Sequence, residues 1–328
     1  MTVALFVVLF LTLAAEFTNG LTDAPNAIAT VVSTRVLPPV TAVIMAAVLN
    51  IAGVLVTGTA VAATIGKGIV APEVISIYTV GAAVFTVVVW STVTWRLGIP
   101  TSETHELVAG LAGAGLAVAG PSALLWDGWQ KVLIGLAVST VVGFGGGFVV
   151  MTLVHWSVRK MRRSTGNRVF GRLQILSAGL MAFSHGSNDG QKFMGAFTLA
   201  LVLAGVLPEF HVPPWVVLLC GVTMGLGTAL GGWRIIKTMG FGITRLEPVN
   251  GFAAETTAGL SILASSSLGI PLSTTHIINT AIMGVGSTQR LSAVRWDVSR
   301  EIVLTWLITF PVCGALGYVF SWLFNLVF

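Results

Sequence analysis

The sequence predicts an all-α polytopic membrane protein built from two inverted-topology repeats, with broken or re-entrant helices meeting at a site near the membrane midplane. Three observations predict it. Charged residues make up 9% of the 328 residues and apolar ones 55%, against roughly 25% and 45–50% in soluble domains. Apolar runs of about 20 residues, the length that spans a bilayer, recur from end to end, and the mean hydropathy is +0.93. Two near-copies, Phe17-Thr18-Asn19-Gly20-Leu21-Thr22-Asp23 and Phe183-Ser184-His185-Gly186-Ser187-Asn188-Asp189, stand 166 residues apart and each sets an aspartate among apolar residues.

The elements follow in matched order. Apolar segments lie near 1–20, 24–34, 40–64, 74–96, 105–125 and 129–155, then near 173–185, 193–207, 215–236, 251–268, 276–288 and 301–327. The first run has no basic residue before Arg35, so it reads as a membrane helix rather than a signal peptide. Gly98-Ile99-Pro100-Thr101-Ser102-Glu103-Thr104-His105 matches Gly269-Ile270-Pro271-Leu272-Ser273-Thr274-Thr275-His276 at six of eight positions, 171 residues on, and Lys67 has a counterpart in Lys237. The division is therefore 1–158 for a first repeat, 159–172 for a linker and 173–328 for a second repeat.

That linker carries Arg159, Lys160, Arg162, Arg163, Arg168 and Arg172 and no acid. Such a stretch marks a cytoplasmic connection, so the net charge of +5 is a topology signal and no nucleic-acid partner is expected. The basic stretch from Arg290 to Arg300 belongs on the same side. With five segments between the two, one should enter without crossing, each repeat should cross an odd number of times, and both chain ends should lie outside. Cys220 and Cys313 sit inside apolar runs and indicate neither a disulfide nor a metal cluster. Trp95, Trp126, Trp129 and Trp156 read as interfacial anchors. The glycines Gly143, Gly145, Gly146 and Gly147 lack the ending of a phosphate loop and read as a packing face.

An aspartate at membrane depth is costly and is retained for ion or substrate handling; a duplicated one points to a site between twin halves. Gly20, Pro25, Gly186, Gly190, Pro100 and Pro271 are expected to break helices there. Helix N-termini exposed by such breaks favour anions. Ser102, Thr104, Ser273, Thr274 and Thr275 offer hydroxyls, and Asn26 and Asn188 offer amides. Asp23 and Asp189 either hold a coupling cation beside the anion or accept a hydrogen bond from it. Phosphate keeps a P–OH proton near neutral pH and sulfate has none, so an accepting carboxylate favours phosphate. Glu255, in mid-run, is a candidate for the cation path.

At these residues the chain resembles the inorganic phosphate transporter (PiT) family, whose repeated signature reads GANDVANA. The first copy here is Gly20-Leu21-Thr22-Asp23-Ala24-Pro25-Asn26-Ala27 and the second is Gly186-Ser187-Asn188-Asp189-Gly190-Gln191-Lys192-Phe193. The paired Pro-x-Ser-x-Thr-His stretches and Gly251-Phe252-Ala253-Ala254-Glu255 are also similar, so the likeness covers both halves. It implies an inverted-repeat secondary transporter of the cell membrane, importing phosphate by symport with Na⁺ or H⁺ through alternating access, commonly as a homodimer. It implies no cofactor beyond the coupling ion and no enzymatic activity. Asp23 and Asp189 would be the Na⁺ ligands, and Glu255 would serve cation coupling or substrate binding. Thr22, Pro25 and Lys192 depart from the signature, which leaves a sulfate or other oxyanion permease as the alternative.

Other readings compete. Ser102 with His105, or Ser273 with His276, has the spacing of a nucleophile and base on one helical face, but a serine nucleophile needs an oriented base and duplication would imply two active sites. The histidines read better as residues that fix the two helix starts. A passive channel is the remaining transport alternative. Lys192 is expected to bridge to Asp189, three residues away, and Glu16 could mark a boundary.

Overall fold

The computed structural model describes residues 2–327. Its described residues form twelve α-helices in two sets of six. The first set is α1 (Thr2–Ser33), α2 (Pro39–Val56), α3 (Ala60–Gly68), α4 (Ile77–Leu97), α5 (Glu103–Ala119) and α6 (Trp126–Val158). The second is α7 (Arg163–Leu203), α8 (Pro214–Leu230), α9 (Trp233–Lys237), α10 (Pro248–Ser267), α11 (Thr274–Ser287) and α12 (Trp296–Val327). Among the described residues six helices are long and apolar enough to cross a membrane, and α8 with the segment after it forms a bent pair that is either a seventh, broken span or a re-entrant loop. The flanks of α1, α6 and α12 present Phe6, Phe10, Val141, Leu153, Leu307 and Trp322 outward, the surface a lipid-facing protein needs. This is a multi-pass integral membrane protein.

The packing exchanges partners between the sets. Helix α1 packs on α8 and α7 on α2; α5 packs on α12 and α11 on α6. Swapping the sets turns each of these contacts into its twin, which is the mark of a pseudo-twofold relation. Glycine makes the first exchange possible. A Cβ on Gly20 would lie 2.2 Å from the Met224 carbonyl oxygen, and one on Gly186 would lie 2.1 Å from that of Asn50. Backbones this close admit no side chain, the usual device of membrane helix pairs.

The helix breaks fall at only one of the two kinds of place the sequence suggests. Neither aspartate motif interrupts its helix: α1 runs through Gly20, Asp23 and Pro25, and α7 through Gly186, Asp189 and Gly190. The segments expected separately at 1–20 and 24–34, and at 173–185 and 193–207, are therefore single helices. The motif glycines serve close packing instead of bending. Pro25 removes an N–H and so frees the carbonyl of Leu21; Gly232, at the turn between α8 and α9, packs against both, with a Cβ there only 2.5 Å from the Leu21 oxygen. That turn bends by 59°. The basic stretch is also mostly helical, because α7 begins at Arg163.

The breaks that do occur are the two Pro-x-Ser-x-Thr-His stretches. Gly98 ends α4 with φ 72° and Gly269 follows α10 with φ 66°, the left-handed conformation glycine adopts freely. Ser102 then caps α5 by accepting from His105 N, and Ser273 caps α11 by accepting from His276 N. Every residue of α11 is buried, as is α5 from Glu103 to Gly115. Two helix N-termini thus face each other inside the protein. Of the expected tryptophan anchors, Trp126 and Trp156 are exposed, whereas Trp95 and Trp129 are half-buried against the core.

Candidate functional site

Asp23 and Asp189 lie in mid-helix on α1 and α7, 3% and 0% exposed. The first turn of α11 enters between them. Thr274 Oγ1 is 2.8 Å from Asp189 Oδ2 and 3.4 Å from Asp23 Oδ2, while Thr275 Oγ1 donates to Asp23 Oδ1 at 3.1 Å. Asn26, one turn along α1, donates to Thr275 Oγ1 at 2.9 Å. Its Oδ1 has no hydrogen-bond partner among the described residues. One cluster therefore gathers Asp23, Asn26, Asp189, Thr274 and Thr275.

His185 completes that cluster, and its tautomer follows from its neighbours. Thr228 Oγ1 donates to Met224 O, so it must accept from Asn50 Nδ2 at 3.0 Å. That turns Asn50 Oδ1 toward His185 Nδ1, 3.1 Å away, and an amide oxygen only accepts. The imidazole proton therefore sits on Nδ1. Nε2 presents a lone pair 3.5 Å from Asp189 Oδ2 and 3.8 Å from Asp23 Oδ2, with no hydrogen-bond partner among the described residues. Three electron-rich atoms from Asp23, His185 and Asp189 lie within 4.8 Å of one another. Without a cation or proton among them they repel, so their chemistry fits a bound cation. Asn50 stands behind the histidine as an outer partner fixing ring orientation.

The other expected residues take different places. Ser102 and Ser273 are N-caps whose oxygens accept, leaving each O–H free to donate. Thr104 donates to Leu272 O at 2.8 Å, tying the start of α5 to the entry of α11. Asn188 is apart from the carboxylates and holds the end of α10, donating to Ser266 Oγ at 3.0 Å and Ile270 O at 3.3 Å. Glu255 sits in a second buried network, accepting from Thr30, from Ser177 and from Gln174 Nε2. Gly251, one turn earlier on α10, makes room for that glutamine: its Cβ would lie 1.9 Å from Gln174 Nε2.

Lys192 bridges to Asp189, Nζ 2.6 Å from Oδ1, as the spacing predicts. The histidines meet edge to face, with ring centroids 4.4 Å apart, and His276 stacks on Trp306 at 3.7 Å. Each serine oxygen is engaged by a backbone N–H, and the rings pack on one another and on aromatic side chains. They are built into the junction of the two helix starts, as the sequence reading has them.

Several residues of the site escaped the sequence reading. His185 and Asn50 are two. Glu103, at the position matching Thr274, accepts from Thr22 and adjoins Asp23. Thr30, Gln174 and Ser177 surround Glu255. Glu16 is no boundary residue: it is fully buried, and neither carboxylate oxygen has a hydrogen-bond partner among the described residues. A signal was available, because Thr12, Glu16, Asn19, Asp23, Asn26 and Thr30 recur at alternating spacings of four and three along α1, one stripe of a helix.

Residues 19–317 match the phosphate transporter family. The chain is 44% identical over 303 residues to a Rhizobium meliloti protein named "Probable low-affinity inorganic phosphate transporter", covering 92% of this chain and 91% of that one. A Bacillus subtilis protein of the same name is 40% identical, with 96% of each covered. Among solved structures, one described as "The sodium-dependent phosphate transporter" superposes with a TM-score of 0.90 at 27% identity, over 100% of both chains.

Proposed function

This chain belongs to the phosphate transporter family, and from that premise we propose that it imports inorganic phosphate by symport with Na⁺ or H⁺, alternating access around the Asp23–Asp189 cluster. The observation that carries the reading is the entry of the α11 N-terminus, Thr274 and Thr275, between two buried carboxylates from twin helices. By helix geometry the N–H groups of Glu103 and Thr104 on α5 and of Thr274 and Thr275 on α11, which precede the capped His105 and His276 N–H groups, have no intrahelical acceptor, and with the hydroxyls of Ser102 and Ser273 they can hold phosphate oxygens. Thr104, Asn26 and Asn188 shape that cradle.

The carboxylates serve the other partner. Asp23 Oδ2, His185 Nε2 and Asp189 Oδ2 form a seat for the coupling cation beside the anion. A carboxylate here also accepts the P–OH hydrogen bond that phosphate can give and sulfate cannot. Glu255, bonded to Thr30 on α1 and Ser177 on α7, is a further cation station on the same two helices. The two halves, 1–158 and 173–328, rock about this centre. The homodimer implied by the resemblance would carry one such site per subunit.

The test is uptake of labelled phosphate into proteoliposomes under an imposed Na⁺ or pH gradient. Wild-type protein should concentrate phosphate, and the Asp23→Asn variant should not. Normal transport by that variant would show that this carboxylate has no part in coupling.

A further inference from the structure

Positions 26 and 192 are twins, each three residues after its aspartate and 166 apart, yet they carry different chemistry. Asn26 is neutral: its amide donates to Thr275, and its Oδ1 is left as an unpartnered acceptor beside Asp23, in a side chain 1% exposed. Lys192 carries an ammonium that touches Asp189 Oδ1 directly at 2.6 Å and is itself 1% exposed. Among the described residues it is the one buried lysine or arginine, whereas Glu16, Asp23, Glu103, Glu106, Asp189 and Glu255 are all buried. Among the described residues, Lys192 is therefore the one buried fixed positive centre, set among six buried carboxyl groups.

Burying a carboxylate demands a counter-charge or a bound proton, and the halves meet that demand differently. Asp23 has two neutral donors, Thr274 and Thr275, the lone pair of His185 and the neighbouring Glu103 carboxyl around it, and no ammonium or guanidinium touches it among the described residues. Its counter-charge must come from outside. Asp189 has one built in. A second cation on Asp189 Oδ1 would meet the ammonium at contact distance, and like charges that close inside a low-dielectric interior repel strongly. His185 Nε2 lies 3.8 Å from Asp23 Oδ2 and 3.5 Å from Asp189 Oδ2, and neither oxygen is the Oδ1 that the ammonium touches.

We propose that Lys192 is a tethered counterion standing in for a transported cation in the second half, so that exchangeable cations bind on the Asp23 side. One cation fewer then accompanies each phosphate than would if residue 192 were asparagine, as its twin is. Lys192 is a specificity-determining residue: it sets how many charges the cycle moves and leaves the phosphate cradle alone. The inference rests on the symport reading above.

The experiment counts charges. In proteoliposomes holding the full-length protein, the voltage that nulls phosphate flux across set gradients gives the coupled charge per phosphate. K192N should raise that number by one and steepen the dependence of uptake on the coupling cation. K192R, which keeps the charge, should keep the wild-type number even if turnover falls. N26K, which adds a tethered charge to the first half, should lower it. An unchanged charge number in K192N overturns the proposal. Should K192N be too slow for flux, ²²Na⁺ bound and protons taken up by purified protein with inorganic phosphate present are counted instead. One more cation per chain than wild type supports the proposal, and equality rejects it. A wild-type protein that moves no phosphate would instead sink the symport reading, while the binding count still decides the role of Lys192.

Discussion

His105 packs edge-on against His276, ring centroids 4.4 Å apart, and in doing so joins two helix N-termini that arrive from opposite halves. Each ring follows a serine cap, and Trp306 closes the junction by stacking on His276 and donating to Pro100 O at 3.1 Å. The cradle is thus held by aromatic packing where its own polar groups must stay free. Replacing Trp306 by leucine should loosen it and raise the KM for phosphate, and the cavity left by the ring should lower stability by up to about 3–5 kcal/mol, the range of a large-to-small core change. Uptake kinetics and detergent-phase melting separate the two effects.

Thr104→Val should remove the bond to Leu272 O and strand a buried carbonyl. An unsatisfied buried acceptor costs about 1–3 kcal/mol, so the melting temperature should fall and uptake with it. Thr104→Ser keeps the hydroxyl and should restore most of both. Equal loss in the two variants would show that the hydrogen bond contributes nothing.

Asn50 touches neither carboxylate, yet it decides which nitrogen of His185 faces them. Asn50→Leu should free the tautomer, so that ¹⁵N spectra of labelled histidine show mixed Nδ1–H and Nε2–H signals. Phosphate uptake should drop about tenfold, the equivalent of about 1.4 kcal/mol. A single unchanged tautomer would refute the orienting role.

Gly20→Ala should be severely destabilising, because its Cβ would lie 2.2 Å from a backbone oxygen of α8 that has no freedom to move aside; overpacking of this kind costs about 1–3 kcal/mol or more. Gly145→Ala, with nothing within 4 Å of its Cβ, is the matched control and should melt as wild type does. Equal melting of the two would contradict the close approach of α1 and α8.

Sulfate in excess should leave phosphate uptake intact at any pH at which phosphate keeps a P–OH proton. HPO₄²⁻ and SO₄²⁻ share shape and charge, and the difference between them is the P–OH donor that a carboxylate can accept. Strong competition by sulfate would remove that role from Asp23 and Asp189.

The architecture was legible because its signals are local. The aspartate motifs and the paired Ser-x-Thr-His stretches announce a duplication and two helix caps by residue type alone. What stayed hidden depends on distance along the chain. Nothing near Glu103 says that Thr22, 81 residues away, donates to it, and nothing near His185 names Asn50, 135 residues away. The glycines misled for a related reason. In isolation a glycine weakens a helix, but between helices it admits a neighbouring backbone, and only the packed structure distinguishes these. The buried stripe on α1 was readable from its spacing, so Glu16 could have been placed inside from the sequence alone.

The exchange of partners between α1–α8 and α7–α2 has a consequence for the lone half. Produced by itself, either half would display a glycine-lined groove shaped for its twin and no element of its own to fill it. The complementary surface is then offered only by another copy of that half inserted upside down. An isolated half should therefore assemble as an antiparallel pair, and the linker in the intact chain serves to make that upside-down pairing certain.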